Sequence, residues 1–391
     1  MDYEDIPFST SIYQGKLDIE SHRRMNSLPW RGQFSPELVE ALLNKYAAEE
    51  ELVVDPFSGS GTTLIEASSS YRPSYGMEVN PSAYILARLY LLGNDPWETA
   101  ISALQTIKEK IFVKHFDEDV SRDLLEIVGS SETYAERYLS EALFLLTLKN
   151  GEKATSKQLQ SAQDMLEKLL FRLPTMKAPL SLELGDARSL SLADNTASTV
   201  LTSPPYVNVF NYHQNYRKAV EMLGWEVLPT ARSEFGSNRK HRQNRFFTVT
   251  QYAQDIGQTL AETARVVKPG GISIWVVGRE SNVRGAAIPN PRIVYEMAQG
   301  IGLTLVAKHE RKFRSRYGAL VYEDIVVFKH TDKGSFTNVD VIELGRHVGA
   351  EVLKRLAPKT EITEFEIKQA IEKSAMMIPS PYSVHSPSNN G

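Results

Sequence analysis

The sequence predicts an α/β fold built on an open, largely parallel sheet, and three stretches carry that prediction. Leu52 to Ala67 reads as a strand, a glycine turn and a helix. Ala197 to Thr202 is β-branched and apolar, and it runs into the rigid segment Ser203-Pro204-Pro205-Tyr206. Ile272 to Gly278 is a further apolar strand, preceded by a helix end at Ala261 to Val267 and a Lys268-Pro269-Gly270-Gly271 turn. Sheets of this kind hold their ligands at the carboxyl ends of the strands, so the residues that close these strands are the site candidates. At 391 residues, 42% of them hydrophobic, the chain can bury one large core or two ordinary ones.

From the amino end, Trp30 to Val39 starts a helix, with Ser35 as cap, Pro36 in the first turn and Glu37 behind it. In the strand-turn-helix unit, Gly59 and Gly61 permit a tight turn and close backbone approach to a ligand, and Thr62 or Thr63 can cap the following helix. Asp55 ends the first strand, where an acid would repel a pyrophosphate and suits a cationic ligand carrying an amino acid group. Tyr75 to Asn80 reads as a second strand ending at Glu78, and an acid there can bind a ribose diol.

Residues 94–178 read as a helical insertion. Ile101, Leu104, Ile107 and Ile111, then Leu139, Leu143, Leu146 and Leu148, then Leu159, Met165, Leu166, Leu169 and Leu170 recur at near-helical spacing between charges. Gly185-Asp186-Ala187-Arg188 follows an apolar stretch, with Asp186 the candidate in that loop. Two prolines then fix their own φ and hold the preceding residues extended, so Ser203 to Tyr206 presents its oxygens in one direction. The Ser203 hydroxyl and the Pro204 carbonyl can accept the two hydrogens of an amino group, and Tyr206 offers a flat face to a base. Taken alone, Ser-Pro-Pro-Tyr is also an ordinary turn, as Pro379-Ser380-Pro381-Tyr382 is read to be. The strand ahead of Ser203 and the Asp55 to Gly61 segment upstream set the first apart.

Two basic stretches follow. Arg232, Arg239, Lys240, Arg242 and Arg245, with only Glu234 opposing, come after the Ser203 loop. Lys308, Arg311, Lys312, Arg314 and Arg316 fall between the strands Leu303 to Ala307 and Leu320 to Phe328, a final antiparallel pair. Asn211, His213 and Asn215 read as a polar helix face, and Tyr212 and Tyr216 lack motif support. Leu344, Val348, Val352, Leu353 and Leu356 indicate a C-terminal helix, with another around Phe365 to Ile378 and a disordered Ser/Pro/Asn-rich tail from Pro379.

Asp55-Pro56-Phe57-Ser58-Gly59-Ser60-Gly61-Thr62-Thr63 paired with Thr202-Ser203-Pro204-Pro205-Tyr206 resembles the DNA amino-methyltransferase family, whose members modify exocyclic base nitrogens. The resemblance covers roughly residues 20–90 and 180–330. It implies a Rossmann-like class I fold with a mixed seven-stranded sheet, the helical insertion and a C-terminal helical extension. It implies S-adenosylmethionine as cofactor, held by Phe34, Ser35, Asp55, Pro56, Phe57, Gly59, Gly61, Thr62, Thr63, Glu78, Asn80 and Asp186, the last bonding the adenine amine. Catalysis falls to Ser203, Pro204, Pro205 and Tyr206, and Arg239, Lys240, Arg242, Arg245, Arg314 and Arg316 are the candidates for gripping double-stranded DNA. A serine at the first catalytic position resembles the cytosine-N4 enzymes, whereas aspartate is usual for adenine-N6. The expected reaction is direct in-line transfer onto a base flipped from the duplex. Methylation of adenine or of RNA, and a non-catalytic DNA-binding subunit, are the alternatives.

Composition narrows the field further. The absence of cysteine excludes disulfides, thiolate metal sites and the nucleophile of carbon-5 cytosine methylation. A net charge of −4 confines any polyanion contact to local patches. No clustered His/Asp ligand set and no apolar leader or long apolar run is evident, so the expectations are no metal, no membrane and a cytoplasmic protein. The expected division is 1–93 with the cofactor half, 94–178 as insertion and possible target reader, 179–330 with the catalytic half, and 331–391 as extension. A separately encoded restriction endonuclease or defence partner is possible.

Overall fold

A computed structural model describes residues 2–19, 28–114, 119–209, 211–237, 240–315, 318–331 and 340–383. Nine strands are present among them: β1 (Val53–Asp55), β2 (Ser74–Glu78), β3 (Leu180–Leu184), β4 (Ala197–Thr202), β5 (Val267–Gly278), β6 (Ser281–Val283), β7 (Ala286–Ile288), β8 (Thr304–Arg314) and β9 (Leu320–Lys329). Seven form one sheet in the order β3-β2-β1-β4-β5-β9-β8, with β6 and β7 a separate hairpin. The pairs from β3 through β5 are parallel, and β9 runs antiparallel to both β5 and β8. The expected mixed seven-stranded sheet is therefore present.

Its central strands are buried on both faces, as parallel strands must be. In β5 and β9 the side chains alternate: Ile274, Val276, Ile325 and Val327 join one apolar cluster, while Trp275, Val277, Val326 and Phe328 join another. The helices that cover these faces are, in chain order, α1 (Gln14–Asp18), α2 (Pro36–Tyr46), α3 (Thr62–Ser69), α4 (Pro81–Ala87), α5 (Trp97–Phe112), α6 (Ser121–Gly129), α7 (Tyr134–Leu148), α8 (Ser156–Arg172), α9 (Arg217–Met222), α10 (Val227–Ser233), α11 (Phe247–Val266), α12 (Asn290–Ile301), α13 (Val341–Lys354) and α14 (Glu361–Lys373). Leu38, Leu42 and Leu43 of α2 cover the first face, and α11 and α12 cover the second. Helices α5 to α8 do not close a core of their own. Leu104, Leu139, Leu143 and Leu166 share one cluster with Ile85 of α4, Leu180 of β3 and Val220 of α9.

Three local expectations change. The Lys268 to Gly271 turn is absorbed into β5 as an irregularity, the register moving from Ala197 opposite Val267 to Thr199 opposite Ile272. Gly270 takes φ +83°, and a Cβ on Gly271 would stand 2.7 Å from the Ser198 carbonyl, so the bulge needs both glycines. The basic segment after Ala307 is strand, not loop. Within it Lys308 is buried, donating from Nζ to the carbonyls of Tyr3 at 3.0 Å and Ile6 at 3.2 Å, and Arg311 donates from Nε to Leu17 at 3.1 Å. The N-terminal segment thus covers the edge strand β8, and these two cations are spent holding it there. The tail differs too: Ser380 is buried, its N–H and hydroxyl bonded to Asp255 of α11 at 2.7 and 2.5 Å. Residues 384–391 lie outside the described part. Among the described residues no helix is long and apolar enough to cross a membrane.

Candidate active site

The carboxyl ends of β1, β2 and β4 meet at an open cleft with a mainly apolar lining, the usual character of small-ligand sites. Its wall takes in Pro56, Phe57, Gly59, Glu78, Asn80, Asp186, Ser203 and Pro205 from the expected set. It also takes in Trp30, Arg31, Gly32, Val79, Ala187, Tyr212, Ser233, Glu234 and Phe235.

Glu78 closes β2 and accepts the N–H of Gly59 at 2.7 Å and of Asn80 at 2.7 Å, tying the glycine turn to the second strand. Burial pushes its carboxyl up to about 7 against the help of those N–H donors. Asn80 caps α4 through its side-chain oxygen, which accepts from Ser82 N at 2.9 Å. Its buried amide nitrogen has no protein partner, which leaves donors available to a ligand at the wall.

Asp55 has a different position from the one expected. Its carboxylate is buried, accepts the Thr202 hydroxyl at 2.6 Å and Phe57 N at 3.1 Å, and does not form part of the wall. Burial raises it to about 6. The acid fastens the end of β4 to the end of β1 and so sets where Ser203 begins. Gly61, Thr62 and Thr63 also lie behind the wall. The N-cap of α3 is Gly61 at φ +84°, not a threonine, and Tyr90 presses close enough that a Cβ there would stand 3.0 Å from its ring. Ser35 precedes α2 as expected, but its hydroxyl donates to Glu37 Oε2 at 2.8 Å instead of capping the helix, and Phe34 packs on the core of that face.

Asp186 lines the cleft with its acceptors already engaged. Oδ1 takes Arg188 N at 3.1 Å and Nε at 2.8 Å; Oδ2 takes Arg188 Nη2 at 2.7 Å and Ser383 N at 3.1 Å. A carboxylate offers about four lone-pair sites, so this arrangement leaves none for the adenine amine expected there. The Arg188 guanidinium continues to the carbonyls of Ser380 at 2.6 Å and Pro381 at 2.9 Å, and lies 4.2 Å from the Tyr382 ring centroid. The supposed free tail is therefore a strap over this side of the cleft.

The far wall comes from the segment after the Ser203-Pro204-Pro205-Tyr206 loop. His213 is buried rather than on a polar helix face: its N–H and Nδ1 meet the two oxygens of Glu234 at 2.6 and 2.7 Å. That pairing folds residues 233–235 back over the cleft, where Phe235 meets Phe57 edge to face at 5.5 Å. Tyr212 stacks on Trp30 at 6.5 Å. Trp30, Arg31, Gly32, Val79 and Ala187 lie in segments the sequence singles out, whereas no local motif marks Ser233, Glu234 or Phe235 as wall residues.

Ser203 and Pro205 face the cleft, while Pro204 and Tyr206 stand behind it. The Tyr206 hydroxyl is 3.4 Å from Ser203 Oγ and 3.2 Å from Glu323 Oε1. Burial holds its phenol far above the usual range, so it stays protonated. Asn290, wholly buried at the start of α12, accepts Val207 N at 3.1 Å and donates to the Gly278 carbonyl at 2.9 Å, fixing the loop to the end of β5.

Of the candidate phosphate-binding residues, Arg242 and Arg314 are exposed, Arg314 donating to the Gly318 carbonyl at 3.0 Å. Arg245 is half-buried, 3.5 Å from Asn208 Oδ1 just after the Ser203 to Tyr206 loop. Lys240 turns inward to Ser380 Oγ at 2.6 Å, and burial lowers its ammonium, so it does not present a charge to solvent. Arg239 and Arg316 lie outside the described residues.

Residues 10–88 match the DNA methylase family. Among characterised proteins, a type II methyltransferase of Methanocaldococcus jannaschii, M.MjaII, is 28% identical over 132 residues, covering 34% of this chain and 23% of its own. M.MvaI of Kocuria varians is 22% identical, covering 68% of this chain and 78% of its own. M.BsoBI of Geobacillus stearothermophilus is 22% identical over 54% of each. The match thus spans about a quarter of the first relative and half of the third. Over residues 10–88 the chain matches the DNA methylase family, and over part of its length it is similar to these type II methyltransferases.

Proposed function

We propose that the chain transfers a methyl group from S-adenosylmethionine to the exocyclic N4 amine of cytosine in double-stranded DNA, at a specific site and on a flipped base. The observation that carries this reading is one cleft that joins the Ser203-Pro205 loop to Glu78, Asn80 and an apolar pair, Phe57 and Phe235. Glu78 keeps lone pairs for ribose hydroxyls beyond the two N–H groups it accepts, Asn80 has free amide donors, and Phe57, Val79 and Phe235 offer apolar faces to adenine. Acids at Glu78 and Glu234 suit a ligand that carries sulfonium and ammonium charge. The chemistry this cofactor supplies when bound is an electrophilic methyl group.

The chain supplies position. Ser203 Oγ, at the cleft wall, and the Pro204 carbonyl behind it accept the two amine hydrogens and leave the nitrogen lone pair directed at the donor, while the Tyr206 ring, behind the wall in this structure, backs Ser203. The buried Asp55–Thr202 bond and Asn290 keep that loop from shifting between encounters. Arg242, Arg245 and Arg314 serve as phosphate contacts, and the insertion over 94–178 is the candidate for reading the target sequence. Serine at position 203 favours cytosine over adenine. Mass spectrometry of nucleosides from DNA incubated with the protein and isotopically labelled S-adenosylmethionine tests this: labelled N4-methylcytosine is expected. Labelled N6-methyladenine would overturn the base assignment, and label in RNA alone would overturn the substrate.

A further inference from the structure

The catalytic loop is connected to a carboxylate that the transfer reaction itself does not use. Glu323 sits on β9 directly opposite Gly278 of β5 and opposite Arg311 of β8, three residues in register across three strands. Its side chain is 13% exposed. One oxygen receives Arg311 Nη1 at 2.6 Å, while the other faces the Tyr206 hydroxyl at 3.2 Å, which in turn lies 3.4 Å from Ser203 Oγ at the cleft wall. Arg311 is itself buried and fixed by the Leu17 carbonyl, so the carboxylate is held from behind. We infer that Glu323 is the acceptor at the end of a proton path that runs from the amine held at Ser203 through the hydroxyls of Ser203 and Tyr206.

This rests on the methyl-transfer reading above and adds the fate of the proton. As the N–CH₃ bond forms, the C–S bond of the donor breaks with its electron pair going to sulfur, and the amine nitrogen becomes cationic. Its N–H bond then breaks with the pair staying on nitrogen. The proton passes to Ser203 Oγ, the Ser203 hydroxyl proton to Tyr206 and the Tyr206 proton to Glu323 Oε1, which later releases it to solvent. A neutral phenol is the form that can accept and donate in one step, and burial keeps Tyr206 in that form. No strong base is needed, because a methylated ammonium on an aromatic base is itself a strong acid. The path sets where the proton goes and when the product can leave as a neutral base. Glu323 acts through Tyr206 and does not touch the substrate, so it is a positioning and proton-accepting residue.

The test is single-turnover methyl transfer to DNA as a function of pH, with cofactor affinity measured in parallel. Glu323→Gln is expected to lower the rate roughly 100-fold, at the low end of proton-transfer effects, and to remove the acidic limb of the profile while leaving cofactor affinity unchanged. Tyr206→Phe keeps the ring, drops the hydroxyl and leaves the Arg311–Glu323 pair intact; it is expected to do the same. The double variant should lose no more than either single one, because both break one chain. A double loss equal to the product of the singles, or a Tyr206→Phe enzyme with unchanged rate and profile, overturns the path, and the latter decides the matter even where Glu323→Gln fails to fold. Absence of transfer by the wild-type chain would instead overturn the methyl-transfer reading on which this one stands.

Discussion

Substituting one atom group at Gly278 should separate folding from catalysis. A Cβ built there would stand 2.5 Å from Cε2, 2.8 Å from Cδ2 and 3.2 Å from Cζ of Tyr206, where ordinary contact begins near 3.4 Å. Gly278→Ala therefore drives the ring back by about 0.9 Å, the difference between 3.4 and 2.5 Å. Backbone relief is unavailable, since Gly278 is paired with Glu323 in the sheet and its carbonyl is held by Asn290. Overpacking of this kind costs about 1–3 kcal/mol of stability. A ~1 Å misplacement of a positioning group can cost about 100-fold in rate, or roughly 2.7 kcal/mol of barrier. Single-turnover transfer should thus fall by about two orders of magnitude, cofactor affinity by little, and the protein should still melt cooperatively. Gly129→Ala, at a position where a Cβ meets nothing within 4 Å, is the matched control and should leave the rate unchanged. A folded Gly278→Ala enzyme that keeps within about threefold of the wild-type rate would refute the argument that Tyr206 must sit where it does.

Three further outcomes follow from the same contacts. Burial holds Glu78 at about 7 and Asp55 at about 6, above their values in an unfolded chain, so the folded state keeps protons that the unfolded chain releases. Stability of the ligand-free protein should fall as pH rises from about 4.5 to about 7, and Glu78→Gln should flatten the part of that slope nearest neutrality; melting temperatures across that range check it, and an unchanged slope would count against it. Ser380→Ala removes the hydroxyl from Asp255 and Lys240 and should cost about 1–3 kcal/mol in denaturant unfolding; a change below ~0.5 kcal/mol would mean the strap is not held this way. Arg242→Ala and Arg245→Ala should each lower the slope of log affinity for DNA against log salt by about 1, with cofactor affinity unchanged; an unaltered slope would remove them from the DNA face.

How much of this was legible in the sequence depended on how local the cause was. The sheet was legible because β4 and β5 are written in runs of apolar residues, and the turn residues that end them cannot do much else. Glu78, Gly59, Ser203 and Pro205 were legible for the same reason: each stands within a few residues of a strand end. Glu234 was not, because it reaches the cleft only through its pairing with His213, and in sequence it looks like a lone acid among arginines. Asp55 was found as an important acid and misplaced by one layer, since sequence cannot say whether a strand-end carboxylate turns toward the ligand or toward the neighbouring strand's Thr202. Lys308, Arg311 and Lys240 show the same limit. A cation in a basic run looks available until the segment that consumes it, here the chain's own N-terminus or its strap, is folded against it.

That consumption changes how the molecule meets a polyanion. A protein of net charge −4 cannot hold DNA by its overall field, and three cations of its basic stretches, Lys240, Lys308 and Arg311, are held internally. What is left has a definite arrangement. The acids, Glu78 and Glu234, sit inside the cleft, where they favour a cationic donor and repel backbone phosphates. The exposed cations Arg242 and Arg314 sit outside it. The β9 register places the Arg314 end of the hairpin beyond the carboxyl ends of the parallel strands, on the side where the cleft opens. Under the proposed reaction, a duplex attracted to that rim would be repelled from the cleft by these acids, which favours an uncharged base swung out from the backbone as the group that reaches Ser203. In the proposed reaction the acids within, where Arg31 also lines the wall, and the arginines at the rim favour an extruded base as the approach to the loop, and Glu323, paired to Arg311, can lie next to that loop without adding an unpaired negative charge to the path of the DNA.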